Sequence, residues 1–318
     1  KRDKTQHNFY IFRIFFICFK IHDKIYNVRK CIMRKDGMRV TNLDAVHKIM
    51  PHLMENRCNA EVYSYETIDV TDLLKYLDKL NKNSEQKITL FHAVVTAIAK
   101  TIYNRPLLNR FIAGKRFYDR NYISISFVAK NKLEDNAEER LIILKTNYNM
   151  NLFDISNKIL TSVQKTIKEN SNELNNTLSL VTMWPRCIIN IIMWIFRKLD
   201  YYGLVPKSIS DTDPNYSTVL LSNLGSIKAN CCYHHLNNYG TNSVVSTIGV
   251  IKEKNVLDKQ GKVKTRKYVD ISFTLDERIA DGIYFAKSIR LLKYILENPK
   301  LLEDELSTKI EIEESKKN

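Results

Sequence analysis

The chain has 318 residues, 44% of them hydrophobic and 27% charged, with a formal net charge of +15 and six cysteines. These proportions are ordinary for a globular protein with a substantial core, as one large domain or two small ones. The cysteines show no Cys-x-x-Cys metal spacing; they point to a reducing, cytoplasmic setting, with Cys231 and Cys232 as small buried side chains rather than a disulfide or a ligand pair.

Charge is unevenly placed. Residues 1–38 hold ten Lys/Arg against three Asp, a net +7 that leaves +8 over the other 280 residues. No Lys/Arg run interleaved with aromatics, no zinc finger and no ribonucleoprotein-type motif follows, so no nucleic-acid partner is expected. The apolar run from Phe9 to Ile21 is broken by Arg13 and Lys20. It falls short of the roughly 18 apolar residues a bilayer span needs, and it lacks a small-residue cleavage site. Residues 1–37 are read as a basic extension outside the fold: disordered, membrane-touching, or upstream sequence translated in error. Met38 opens regular patterning, and a single globular domain is expected over 38–302.

In chain order, Leu43, Val46, Ile49 and Met50 fall at helical spacing in a short segment that Pro51 ends. Residues 61–70 alternate and are rich in Val, Tyr, Ile and Thr, which predicts a strand. Thr71-Asp72 opens a helix with Leu73, Leu74, Tyr76, Leu77 and Leu80 on one face, and a denser, more buried helix is expected over 90–103, stopped by Arg105-Pro106. Strands follow near 115–118, 122–128 and 141–145, with a polar connection over 131–140. Leu152, Ile155, Ile159, Leu160, Val163 and Ile167 then mark a third amphipathic helix over 151–170. The alternation predicts an α/β fold.

Residues 184–199 stand apart. Trp184-Pro185 leads into Ile188, Ile189, Ile191, Ile192, Trp194, Ile195 and Phe196, closed by Arg197 and Lys198. One reading is an interfacial helix or one lining an acyl-chain channel. The other, favoured because Asn190 is the only strongly polar residue mid-run, is a helix buried against the domain or a neighbouring subunit. Membrane contact through this run is therefore not favoured. After Tyr216 the chain turns β-rich, with strands over 217–222, 244–251 and 268–275. Residues 255–267 read as a polar excursion with a hairpin turn at Lys259-Gln260-Gly261. The last helix takes Asp281 as its N-cap, shows Ile283, Ala286, Ile289, Leu292 and Ile295 on one face, and stops at Asn298-Pro299. The acidic tail from Glu303 is expected to fray.

Three pieces near the C-terminus carry chemistry. Leu221-Ser222-Asn223-Leu224-Gly225 ends a strand in Ser-Asn and a turn glycine, the strand over 268–275 runs into Asp276-Glu277-Arg278, and Asp281-Gly282 opens the final helix. Their order and spacing resemble the catalytic core of the dihydrolipoyl acyltransferases of 2-oxoacid dehydrogenase complexes, and more distantly chloramphenicol acetyltransferase. There the turn reads Asp-His-Arg-x-x-Asp-Gly and the upstream strand ends in Ser-Asn-x-Gly. Weaker similarity over 61–80, 87–100 and Pro106-Leu107-Leu108-Asn109 extends the match to roughly 40–302, and the chain looks most like free-standing members without lipoyl or subunit-binding modules.

The resemblance implies an α/β, chloramphenicol acetyltransferase-like CoA-dependent acyltransferase fold, with a mixed sheet flanked by helices. It implies coenzyme A or acyl-CoA as substrate, no metal, no covalent lipoyl group in this chain, and a homotrimer with active sites between subunits. By the same resemblance Ser222, next to Asn223, holds the oxyanion, while Asp281 and Gly282 keep the turn. Glu277, beside Arg278, stands where the family has its histidine base. Three alternatives remain open. Glu277 is itself the base, which asks for burial to favour its protonated form while Arg278 opposes it. Alternatively, His234 or His235 reaches the site from the loop after Ser222, although paired histidines on a polar turn are more often solvated. Lastly, the protein has lost transfer chemistry and is a trimeric binding or scaffold protein. Ser222 also has a plain structural reading, in which Ser-Asn only bonds its local turn.

Overall fold

Two β-sheets organise the chain in the computed structural model, which describes residues 34–84, 86–130, 139–169, 182–258 and 260–312. The apolar run from Phe9 to Ile21 and most of the polar connection over 131–140 lie outside these residues. Strand β1 (Gly37–Arg39) opens the fold, and just before it Arg34 forks onto the Asp36 carboxylate at 2.8 and 2.7 Å. Asp44 caps α1 (Ala45–Leu53) by accepting the His47 N–H at 2.8 Å. Pro51, expected to end this helix, sits inside its last turn. Proline removes only its own N–H, and the Met54 N–H still closes onto the Met50 carbonyl at 2.8 Å.

Strand β2 (Glu61–Asp69), α2 (Thr71–Leu80) and α3 (Leu90–Asn104) follow as the periodicity predicts. Every α3 residue from His92 to Ile102 is buried, which explains its small and β-branched composition. Strand β3 (Arg110–Ala113), not expected from the sequence, pairs with β4 (Arg116–Arg120). Next come β5 (Ile123–Lys130), β6 (Glu139–Thr146), α4 (Leu152–Glu169) and α5 (Arg186–Tyr202). Strand β7 (Val219–Asn223) leads through a long segment to β8 (Val244–Leu257), β9 (Val263–Asp276) and α6 (Gly282–Glu297). Residues 255–267 are mostly strand: Asn255 faces Thr265 and Leu257 faces Val263. This part of the hairpin projects past the sheet, and solvent on both faces removes the alternation that marks a strand in sequence.

The small sheet has order β1-β4-β3 and the large one β2-β9-β8-β7-β5-β6. Strand β7 runs parallel to both its neighbours, and the other pairings are antiparallel, so the large sheet is mixed. Because strand side chains alternate between faces, Val269, Ile271, Phe273 and Leu275 of β9 all enter one apolar cluster. The same cluster takes Ile68, Val219, Leu221 and Ile125 from neighbouring strands and buries the inner faces of α2, α3, α4 and α6. The tail packs instead of fraying from Glu303. Fully buried Lys100 of α3 donates to the carbonyls of Asp304 and Glu305 at 3.1 and 2.7 Å, and Leu306 is fully buried.

Candidate active site

The alternate residues of β9 are Asp270, Ser272, Thr274 and Asp276, polar side chains on the face away from the helices, and all are buried. They are covered by the segment that leaves β7. The Thr247 and Ser272 hydroxyls lie 2.8 Å apart and each within reach of the Cys232 carbonyl, at 2.7 and 2.6 Å, so that with one proton apiece one can donate to the carbonyl while the other donates to it or to its neighbour. Gly225, the turn glycine of the Ser-Asn-Leu-Gly stretch, is there because any Cβ would stand 2.5 Å from the Gly249 carbonyl oxygen. Further on, the Leu236 N–H donates to Glu61 at 2.6 Å, the Cys58 thiol donates to the Leu236 carbonyl at 2.8 Å, and Arg57 gathers the carbonyls of Asn237, Tyr239 and Gly240 at 2.6, 3.1 and 2.9 Å.

Ser222 lies on this face at the C-terminal end of β7 and is half-buried. Its hydroxyl, like the Asn223 side chain, makes no hydrogen bond among the described residues; the turn below is closed instead by Ser226, which donates to the Asn223 carbonyl at 2.7 Å. The side chain is thus not consumed by the local turn. Glu277 follows the end of β9, half-buried, with its N–H on the Ala60 carbonyl at 2.9 Å. Its carboxylate has no hydrogen-bond or ion-pair partner among the described residues. Arg278 does not turn to it: the guanidinium forks onto fully buried Asp276 at 2.7 Å on both oxygens and spends its remaining nitrogen on the Met54 carbonyl at 2.7 Å. Arg57 stands 3.7 Å from the same carboxylate. Asp281 caps α6, accepting the Tyr284 N–H at 2.6 Å, and next to it a Cβ on Gly282 would meet nothing within 4 Å.

His234 and His235 stack on each other at 4.8 Å, both exposed, with the His234 ring nitrogen 3.0 Å from the His235 carbonyl. Leu236, the next residue, bonds Glu61, but no hydrogen bond joins either histidine to Glu277 among the described residues. Ser222 and Glu277 are not brought together. Ser222 faces Thr247, Thr247 faces Ser272, and Glu277 lies five residues beyond Ser272. That is about 16 Å along the strand plus two inter-strand steps of about 4.8 Å. One chain therefore holds a free hydroxyl at the end of β7 and a free carboxylate just past the end of β9, too far apart to share a reacting atom. A cavity of about 380 Å³ opens beside the turn, lined by Arg57, Arg278, Arg197 and Asp200 among others. Sequence reasoning missed Arg57 and Glu61, whose partners lie far away along the chain, and gave Asp276 no role of its own.

The family described as 2-oxoacid dehydrogenases acyltransferase (catalytic domain) matches residues 36–179 and 206–303. No curated protein matches the chain. Among solved structures, a probable dihydrolipoamide acetyltransferase from Listeria monocytogenes is similar at 16% identity and a TM-score of 0.53, covering 82% of this chain and 95% of that one. The truncated 2-oxoacid dehydrogenase catalytic core of Thermoplasma acidophilum is similar at 17% identity and a TM-score of 0.52, covering 82% and 99%. The dihydrolipoamide acetyltransferase of Azotobacter vinelandii follows at 13% identity and a TM-score of 0.54, covering 83% and 93%; its catalytic mechanism has been probed at a serine, a histidine and an asparagine, the last two spaced as Glu277 and Asp281 are here. The mixed sheet with its helices is the chloramphenicol acetyltransferase-like α/β fold, and the chain belongs to the 2-oxoacid dehydrogenase acyltransferase family.

Proposed function

We propose that the protein is a CoA-dependent acyltransferase whose active sites form between adjacent copies of the chain, with Ser222 from one copy and Glu277 from the next. The observation that supports this reading is the separation of the Ser222 hydroxyl and the Glu277 carboxylate, both without a partner among the described residues and too distant to act within one chain. Glu277 takes the proton of an acceptor thiol or hydroxyl, and the freed sulfur or oxygen attacks the thioester carbonyl carbon. The carbonyl oxygen gains negative charge and accepts the Ser222 O–H; losing such a donor costs about 10²–10³ in rate. Collapse breaks the carbon–sulfur bond, and the departing CoA sulfur takes the proton back from Glu277. Asp281 and Arg278 act by holding the turn. The assembly is read as a homotrimer, as the resemblance implies, working in the cytoplasm.

Acetyl-CoA through long-chain acyl-CoA, assayed for thermal stabilisation and for thioester loss to a dithiol acceptor, tests the reading. Acyl-CoA is expected to raise the melting temperature, Glu277→Gln to abolish turnover, and Glu277→His to keep it. Turnover surviving in Glu277→Gln would move the base to His234 or His235. A stable oligomer with neither binding nor turnover would leave the scaffold reading.

A further inference from the structure

Helix α5 is held to the body along one side. Phe196 meets the Tyr239 ring edge-on at 5.8 Å, and buried Asp200 accepts from the Tyr216 hydroxyl at 2.8 Å and the Gly240 N–H at 2.9 Å. Of the expectation that the run is buried against the domain or a neighbouring subunit, burial against the domain holds for this side, while the domain leaves the other side uncovered. Ile191 is 58% exposed and Trp194 61%, with Ile195 and Tyr202 also exposed and Met183 and Trp184 uncovered just before the helix. Positions 191, 194, 195 and 202 share one face of the helix and form a second apolar stripe opposite the packed one, which exposed Trp184 continues just before the first turn.

Charge decides what this stripe suits. Arg186, Arg197 and Lys198 are exposed on the helix, and Lys198 lies 5.8 Å over the Trp194 ring. The helix's only carboxylate, Asp200, is turned inward and buried. A second copy meeting it helix to helix would set cation against cation. The helix also lies wholly within residues 180–205, which fall between the two stretches matched by the family, so the family match does not account for this surface. No helix among the described residues is long and apolar enough to cross a membrane. We propose that α5 docks flat on an anionic lipid surface, with Trp184, Ile191, Trp194 and Ile195 at headgroup depth and Arg186, Arg197 and Lys198 against the lipid phosphates. This docking does not rest on the transferase reading.

Both tryptophans of the chain lie in this stripe, so indole emission reports on it alone. Flotation and tryptophan fluorescence with phosphatidylcholine vesicles, with and without phosphatidylglycerol, test the docking. Phosphatidylglycerol vesicles are expected to carry the protein and shift its emission to the blue, with binding weakened by salt. Trp194→Glu, and separately the pair Arg197→Glu and Lys198→Glu, should each weaken binding by about tenfold or more. Absence of binding, or equal binding to neutral vesicles, would overturn the proposal. So would a fall in oligomer mass in Trp194→Glu, which would assign the stripe to another copy of the chain.

Discussion

A carboxylate asked to accept a proton is poorly served by an arginine at the next position unless that arginine is engaged elsewhere. Arg278 is engaged: its fork onto Asp276 lies at the floor of the site, away from Glu277. Arg278→Ala would leave Asp276 buried with only Arg57 at 3.7 Å. The expected loss is about 3–5 kcal/mol in urea denaturation, and Arg278→Lys should restore only part of it because an ammonium cannot make the fork. His92 carries a pH prediction. It sits at the third position of α3, where its Nδ1 accepts the Thr89 N–H at 3.2 Å, and burial holds its pKa below the ordinary imidazole value. The unfolded chain therefore binds the proton first, so stability present above a pH of about 6.5 is lost as the pH falls through it. His92→Gln keeps an acceptor at that position, and its melting temperature should depend less steeply on pH between 5 and 7 than that of the wild type. At this scale the strand end at Ser222 and the helix cap at Asp281 were legible, because both are local signals. The Asp276–Arg278 fork was not, since which way an arginine turns depends on Met54, more than two hundred residues earlier.

Elements read well wherever one side is core and the other solvent, as in α2 and α4. Reading failed where that contrast is missing. Strand β3 is four residues long and mostly buried, and the outer half of the β8–β9 hairpin is wet on both faces. The segment from 224 to 242 has no regular period either, yet it roofs the polar sheet face and is fixed by discrete bonds. Gly240 is its tightest point, with φ +80° and any Cβ 2.4 Å from the Asn215 carbonyl oxygen. It donates to Asp200 and receives Arg57, so it ties α5, the Arg57 turn and the roof together. Gly240→Ala should cost about 2 kcal/mol or more and lower the melting temperature, whereas Gly261→Ala, also at positive φ but with open space around it, should cost less.

At the scale of the whole molecule, the separation of Ser222 from Glu277 decides how variants behave when mixed. Ser222→Ala and Glu277→Gln should each be nearly inactive alone, whichever chains the residues come from. If each site joins Ser222 of one copy to Glu277 of the next, unfolding the two variants together and refolding them produces some sites with both residues intact. Random assembly in a closed ring places a Glu277→Gln subunit, with its serine, beside a Ser222→Ala subunit, with its carboxylate, at about a quarter of the sites. The mixture should then recover about a quarter of wild-type turnover, while mixing without exchange should recover none. If serine and carboxylate acted from one chain, no mixed assembly would hold an intact pair, and turnover would stay at the sum of the two variants. The experiment thus reads which chains supply Ser222 and Glu277 to one site, with no need to know the natural acceptor.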